Sequence, residues 1–321
     1  MSSFSWDCNE DAIFPFHLQE SPVRGRIVRL SGVMDDLLER HNYPEAINSV
    51  IAEAVVLTAL IGQLVNFGWK FSIQFRSDGP LRLAAADYLA PETEGEAAKV
   101  RAYASFRHEE LKSFGGNLVS AGSQGYLAML IDKGDGREPF KGLTPLSGKS
   151  LSECAEEYFR RSEQIPTRVS VATGWASGNG MRSRQAGGIM IQRMAPASGI
   201  RKGRERPIEG GQQVDRDEDW TKARAIFSTI DGDELLGPEP SPSDLLYRLF
   251  HDDLPMVADC QPVEFGCTCS AERVRTSMSI YSAKDIARMT TKQNLVVADC
   301  QFCGAHYELD PSELGFEAAA G

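Results

Sequence analysis

The chemistry most legible in this chain is carried by four cysteines in its last sixty residues. Cys267 and Cys269 stand one residue apart in FGCTCSAER; Cys300 and Cys303 stand two apart in DCQFCGAHYEL; thirty residues separate the pairs. Four soft thiolates delivered as two close pairs are what a tetrahedral zinc site needs. Gly304, directly after the second pair, suits a tight turn with positive φ whose backbone N–H groups point at the sulfurs. The Cys-x-Cys half is a tighter clip. A bridge between Cys267 and Cys269 would close a very small ring, and strained disulfides sit at the oxidising, labile end of the range. Two readings stand on spacing: a closed structural zinc knuckle, or a thiol centre open to reversible oxidation.

Other chemistries find little support. The five histidines show no His-x-x-x-His spacing, and there is no Gly-x-Ser-x-Gly elbow or phosphate-binding Walker loop. Gly178-Asn179-Gly180 reads as a turn. A thiol–disulfide oxidoreductase is the enzyme alternative, because Cys-x-x-Cys is the thioredoxin-type motif, but that motif should open a helix. A zinc-ribbon adaptor is the other. The net charge of −11 disfavours nucleic acid, and the basic run Arg201, Lys202, Arg204, Arg206 reads as solvated. His306 offers a substitute metal ligand, although four cysteines already fill a tetrahedral shell. Cys8 and Cys154 read as ordinary small residues. Cys260 lies close enough to Cys267 to mispair or to act as a resolving thiol. Seven cysteines, an odd number with four clustered, do not form an extracellular disulfide framework, and no secretory signal opens the chain. A cytoplasmic setting is expected, with no membrane partner.

The elements that must position these thiols follow from pattern. The 321 residues, 42% of them apolar, suffice for a large domain with an appendage. Residues 1–20 read as irregular or as an edge segment. VRGRIVRL (23–30) alternates as a strand. Residues 45–66 form a helix apolar nearly all round; Glu45, Asn48, Glu53 and Gln63 on it favour a protein core over a bilayer. Phe71, Ile73 and Phe75 alternate, Ser77-Asp78-Gly79-Pro80 turns the chain, and Leu81, Leu83 and Ala85 alternate again. Further strands are expected at 99–105, 117–121, 125–132, 167–172 and 187–194, and a helix at 150–163. Residues 197–219 are polar and linker-like. Two amphipathic helices follow, one presenting Trp220, Ala223, Ile226, Phe227 and Ile230, the other opening at Ser241-Pro242-Ser243-Asp244. The fold class is α+β. The organisation expected is a core at 1–196, a polar and helical linker at 197–258, and a four-cysteine module at 259–321.

VEFGCTCSAER and DCQFCGAHYEL resemble the two zinc motifs of the redox-regulated holdase chaperones, the heat-shock protein 33 (33 kDa chaperonin) family. VRGRIVRL, FSIQFRSDGPLRL, YFRRSEQIPTR and AGGIMIQRMAP resemble that family's N-terminal domain, and LLYRLFHDD its linker. The resemblance implies no enzyme but an ATP-independent chaperone, inactive when Cys267, Cys269, Cys300 and Cys303 bind one zinc. It implies that oxidation forms the disulfides Cys267–Cys269 and Cys300–Cys303 and releases the zinc. It implies further that the linker then comes loose, that unfolding client proteins bind, and that the activated chain forms a homodimer.

Overall fold

The computed structural model describes residues 11–178, 181–194 and 216–316. Cys8, the turn at Asn179-Gly180, most of the polar stretch 197–219 and its basic run lie outside them. The chain divides into two compact units: residues up to Leu38 with Tyr43–Phe265, and Glu39–Asn42 with the residues from Gly266 onward.

The first unit is built on one large sheet. Its strands are β1 (Ala12–Leu18), β2 (Val23–Leu30), β3 (Lys70–Ser77), β4 (Leu81–Leu89), β5 (Ala98–Phe106), β6 (Gly125–Asp132), β7 (Phe140–Pro145), β8 (Thr167–Gly178), β9 (Met181–Arg193), β10 (Pro255–Val257) and β11 (Gln261–Phe265). They lie in the order β7-β6-β3-β4-β5-β11-β1-β2-β9-β8, with β10 also paired to β1. Neighbours are antiparallel except β11, which runs parallel to β5. The expected hairpin of β3 and β4 pairs Phe75 with Ala84 and Ile73 with Ala86.

Two sequence expectations need correction. The segment 12–18 is an internal strand, seated between β2 and both β10 and β11. Pro15, which donates no ladder hydrogen bond, disguises it. Residues 117–121 are not a strand. The Asn117 carboxamide oxygen accepts the N–H groups of Val119 and Ser120, both at 3.0 Å, which closes a turn. Leu118 and Val119 are nonetheless buried, so apolarity there reports burial without extension.

Period-two alternation sends the sheet's side chains into two layers. Ile13, Val28, Leu30, Ala186 and Met190 face a core that contains most of the helix Glu45–Gly62. That helix has the length and hydropathy of a membrane span, but 72% of the span is buried inside the protein, as a core helix. It is preceded by α1 (Gly32–Glu39), so it is labelled α2; α3 (His108–Ser113) and α4 (Leu151–Tyr158) follow. Ser150 caps α4 by accepting the Glu153 N–H.

Ala12, Phe14, Phe16, Leu18, Val23, Ile27, Ile189 and Ile191 face the opposite way and make a second cluster. Three short helices cover it: α5 (Arg216–Phe227), α6 (Gly232–Leu236) and α7 (Pro242–Phe250). They contribute Trp220, Ala223, Phe227, Leu235, Leu245, Leu246, Leu249 and Phe250. The rings of Phe16 and Phe250 stack at 6.3 Å. Ser241 caps α7 through the Asp244 N–H, with Pro242 in the first turn.

Polar contacts pin this cover at its edges. The Arg29 side chain reaches from β2 and donates to the carbonyls of Glu234 (2.9 Å), Pro238 (3.2 Å) and Pro240. Arg248 pairs with Glu234 at 2.6 Å, and Lys222 with Asp253 at 2.9 Å. Gly187 on β9 makes the closest approach: a Cβ there would lie 1.9 Å from the Leu235 carbonyl oxygen. Only glycine lets α6 sit so low on the strand.

The second unit contains α8 (Ala271–Met278), α9 (Ala283–Met289) and a hairpin of β12 (Val296–Asp299) and β13 (His306–Leu309). Ser270 and Ser282 cap the two helices. Its buried cluster is Ile286, Val296, Leu309 and Leu314. The four buried apolar side chains of the described residues are too few to order such a segment securely without a further cross-link.

Candidate metal centre

The four cysteines expected as ligands arrive from two directions. Cys267 and Cys269 lie in the irregular stretch that leads to Ser270, the N-cap of α8. Cys300 follows β12 directly, and Cys303 lies in the turn before β13. The turn is knotted by its own backbone: the Gly304 N–H donates to the Cys300 carbonyl at 2.8 Å, and the Cys300 N–H to the Ala305 carbonyl at 2.9 Å. Gly304 has φ +72°, as the sequence leads one to expect of that position. The Ala305 N–H points at the Cys303 sulfur.

The four Sγ atoms all lie within 4.8 Å of one another and form the metal-capable cluster of the described residues. Cys267 and Cys300 approach to 3.7 Å, Cys269 and Cys303 to 3.3 Å. A tetrahedral zinc with Zn–S bonds of about 2.3 Å needs sulfur–sulfur edges of about 3.8 Å. The two printed approaches lie at or somewhat below that value and are far longer than the roughly 2.05 Å of a disulfide. None of the four is in a disulfide, and all are half-buried. The donor set therefore fits zinc in number, type and spacing.

The environment polarises the set. Burial opposes ionisation of Cys269, but a hydrogen bond from the Tyr307 hydroxyl at 3.0 Å, with others from the neighbouring thiols, outweighs it and holds this thiol at about 7. Cys303 is pushed up to about 12, by burial and by sharing its proton with the other sulfurs. Cys269 and Cys303, with sulfurs 3.3 Å apart, are thus displaced in opposite directions, the first toward thiolate and the second toward thiol. A cation at the centre of the four sulfurs favours thiolate throughout.

Sequence reasoning overlooked Tyr307. Its only signal is the alternation of Tyr307 with Leu309 along β13, which puts both on one side of the hairpin. His306, the substitute ligand, is on the other side: its Nδ1 meets Asp299 at 2.7 Å and its Nε2 lies 3.8 Å from Glu308. The hydrogen bond to Asp299 raises its pKa. It is not one of the clustered ligands. Cys300-x-x-Cys303 links two strands and opens no helix, unlike a thioredoxin-type motif.

Of the remaining cysteines, Cys260 is engaged in a disulfide. Cys154 is a free thiol on α4, fully buried in the first core, and burial raises its pKa. Cys154→Ser is expected to cost about 1–3 kcal/mol of stability for a hydroxyl placed in apolar surroundings. Zinc content should stay at the wild-type level; a loss of metal, measured beside a thermal melt, would tie Cys154 to the centre.

An α+β unit whose apolar sheet face is roofed by helices, followed by a small four-thiol module, is the architecture on the page. The chain belongs to the Hsp33 protein family, whose sequence pattern it matches over residues 11–310. It is 35% identical over 308 residues to a 33 kDa chaperonin of Caulobacter vibrioides, covering 94% of this chain and 95% of that one. It is 30% identical over 304 residues to a 33 kDa chaperonin of Escherichia coli O17:K52:H18, covering 95% and 94%. The fold matches the crystal structure of the 33 kDa chaperonin from Thermotoga maritima with a TM-score of 0.71 at 20% identity, over 95% of this chain and 96% of that one. The family is one of chaperones rather than enzymes, and a C-terminal cysteine cluster fits such a protein.

Proposed function

We propose that this chain is a zinc-dependent, redox-switched holdase of the cytoplasm, which binds unfolding proteins without ATP. The observation that carries the reading is the gathering of four thiols within 4.8 Å of one another, in a chain whose other unit roofs an apolar sheet face with three helices. Cys267, Cys269, Cys300 and Cys303 are the ligands of one zinc in the reduced protein. Bound zinc supplies folding free energy, of order 10 kcal/mol or more, to a module with little core.

The same sulfurs are the trigger. Cys267 with Cys269, and Cys300 with Cys303, each lose two electrons to a peroxide, which takes up two protons and leaves as two waters. A disulfide sulfur no longer offers the thiolate that a metal requires. The module then loses its cross-link and unfolds. Chain connectivity carries the effect onward, because β11 ends at Phe265, two residues before Cys267, and follows α7 and β10. Release of α5–α7 bares Phe14, Phe16, Leu18, Ile27, Ile189 and Ile191, an apolar surface suited to clients. The same surface suits a second copy of the chain, so dimerisation accompanies activation. We further propose three parts: a core at 1–196, a linker at 197–258 and the switch module at 259–321.

Metal analysis and peptide mapping test the switch. The reduced protein should hold one zinc per chain. Hypochlorous acid, or peroxide with mild heat, should release it as two bridges form, 267–269 and 300–303. Retention of zinc by the fully oxidised protein would overturn the mechanism. Bridges 267–300 and 269–303, which join sulfurs that approach to 3.7 and 3.3 Å in the structure, would overturn that connectivity.

A further inference from the structure

The two halves of the four-thiol centre are supported differently. The Cys300–Cys303 half is held by its own turn, through Gly304 N–H to Cys300 O and Cys300 N–H to Ala305 O. The Cys267–Cys269 half comes from a stretch without regular structure. Across the module, β13 brings Tyr307 opposite Ala298, and the tyrosine hydroxyl donates to Cys269 Sγ at 3.0 Å. The ring is partly buried against the cluster of Ile286, Val296, Leu309 and Leu314, so the hydroxyl's position is fixed by packing.

We propose that Tyr307 is a positioning residue for the centre: its hydroxyl ties the Cys-x-Cys half to the hairpin and sets how firmly zinc is held and how fast Cys269 is oxidised. This rests on the zinc reading above. A hydrogen bond to a metal-bound thiolate draws charge off the sulfur and fixes its lone pairs. Both effects favour retention of the metal. Both also make the sulfur a poorer nucleophile toward peroxide, since attack requires electron density on sulfur. Phenylalanine would supply the ring and its packing; only tyrosine adds the donor. The polar atom therefore has a separable role.

Tyr307→Phe tests it, with zinc-loaded, reduced, full-length protein. Competition against a chromogenic chelator should show the variant holding zinc about tenfold or more weakly, within the range typical of lost outer-shell partners. Peroxide should release its zinc several-fold faster. In the cobalt-substituted protein, the sulfur-to-metal charge-transfer band should shift, because one sulfur has lost its donor. A second variant runs the opposite way: 3-fluorotyrosine at 307 keeps the shape with a stronger donor, and should retain zinc longer than wild type under peroxide. Equal affinity, equal release rate and an unmoved cobalt band in Tyr307→Phe would overturn the proposal while leaving the zinc reading intact. Wild-type protein without zinc would overturn both.

Discussion

Cys300→Ser is expected to leave well under one zinc per chain and to unfold the segment 266–316 while the first unit stays folded. The argument is one of proportion. Among the described residues the second unit's buried cluster is Ile286, Val296, Leu309 and Leu314, and each such side chain contributes only about 1.5–3 kcal/mol. Structural zinc contributes on the order of 10–16 kcal/mol in comparable peptides. Losing one thiolate of four removes a ligand that sits at the junction of β12 and its turn. It also strips the 3.7 Å partner of Cys267. Hydrogen exchange should show 266–316 unprotected in the variant, with β1–β9 still protected. Normal zinc content, or full protection of the segment, would remove Cys300 from the centre.

The second large effect should come from the helical roof over the sheet of the first unit, at residues outside the four-thiol centre. Arg29→Leu is expected to loosen the roof of α6 and α7 in the reduced, zinc-loaded protein. Arg29 is buried, 8% exposed, and its guanidinium serves the carbonyls of Glu234, Pro238 and Pro240. Hydrogen bonds to a charged group contribute about 1.5–3 kcal/mol each, and a leucine leaves these carbonyls without that donor. Gly187→Val attacks the same junction from the strand below, where a Cβ would lie 1.9 Å from the Leu235 oxygen. In both variants, exchange protection over 232–250 should fall, and client aggregation should be suppressed without added oxidant. Zinc content should remain one per chain, which separates this effect from damage to the metal centre. Variants that stay fully protected at 232–250, or that still require oxidant, would show that the roof is not what restrains client binding.

The four-thiol centre was more legible in the sequence than the sheet of the first unit. Cys267, Cys269, Cys300 and Cys303 could be read as one ligand set because thiolate pairs have few other uses at such spacing. Gly304 was readable for the same local reason. Tyr307 was not, since a hydrogen bond from residue 307 to residue 269 depends on the hairpin's register. In the first unit, α2 and the hairpin of β3 and β4 follow from periodicity alone. β1 does not: Pro15 interrupts its signal, and the partners that hold it come from residues 24–29, 255–257 and 261–262. β7 was missed as well. It is an edge strand that leaves Phe140 and Leu143 exposed, so its alternation does not separate apolar from polar residues. The stretch 117–121 shows the converse, with apolar residues buried by a turn. The clamp from Arg29 to three carbonyls was invisible because backbone acceptors carry no sequence signature.

The account stands or falls on one coupled measurement. Zinc release and light scattering from a thermally denaturing client should be followed in the same samples as oxidant is titrated into reduced protein. The account predicts one zinc per chain and no protection at the start, then protection that rises in step with metal release and reverses when thiols and zinc are restored. A reduced protein that already protects the client fully, or a fully oxidised and zinc-free protein that leaves the scattering unchanged, would contradict it.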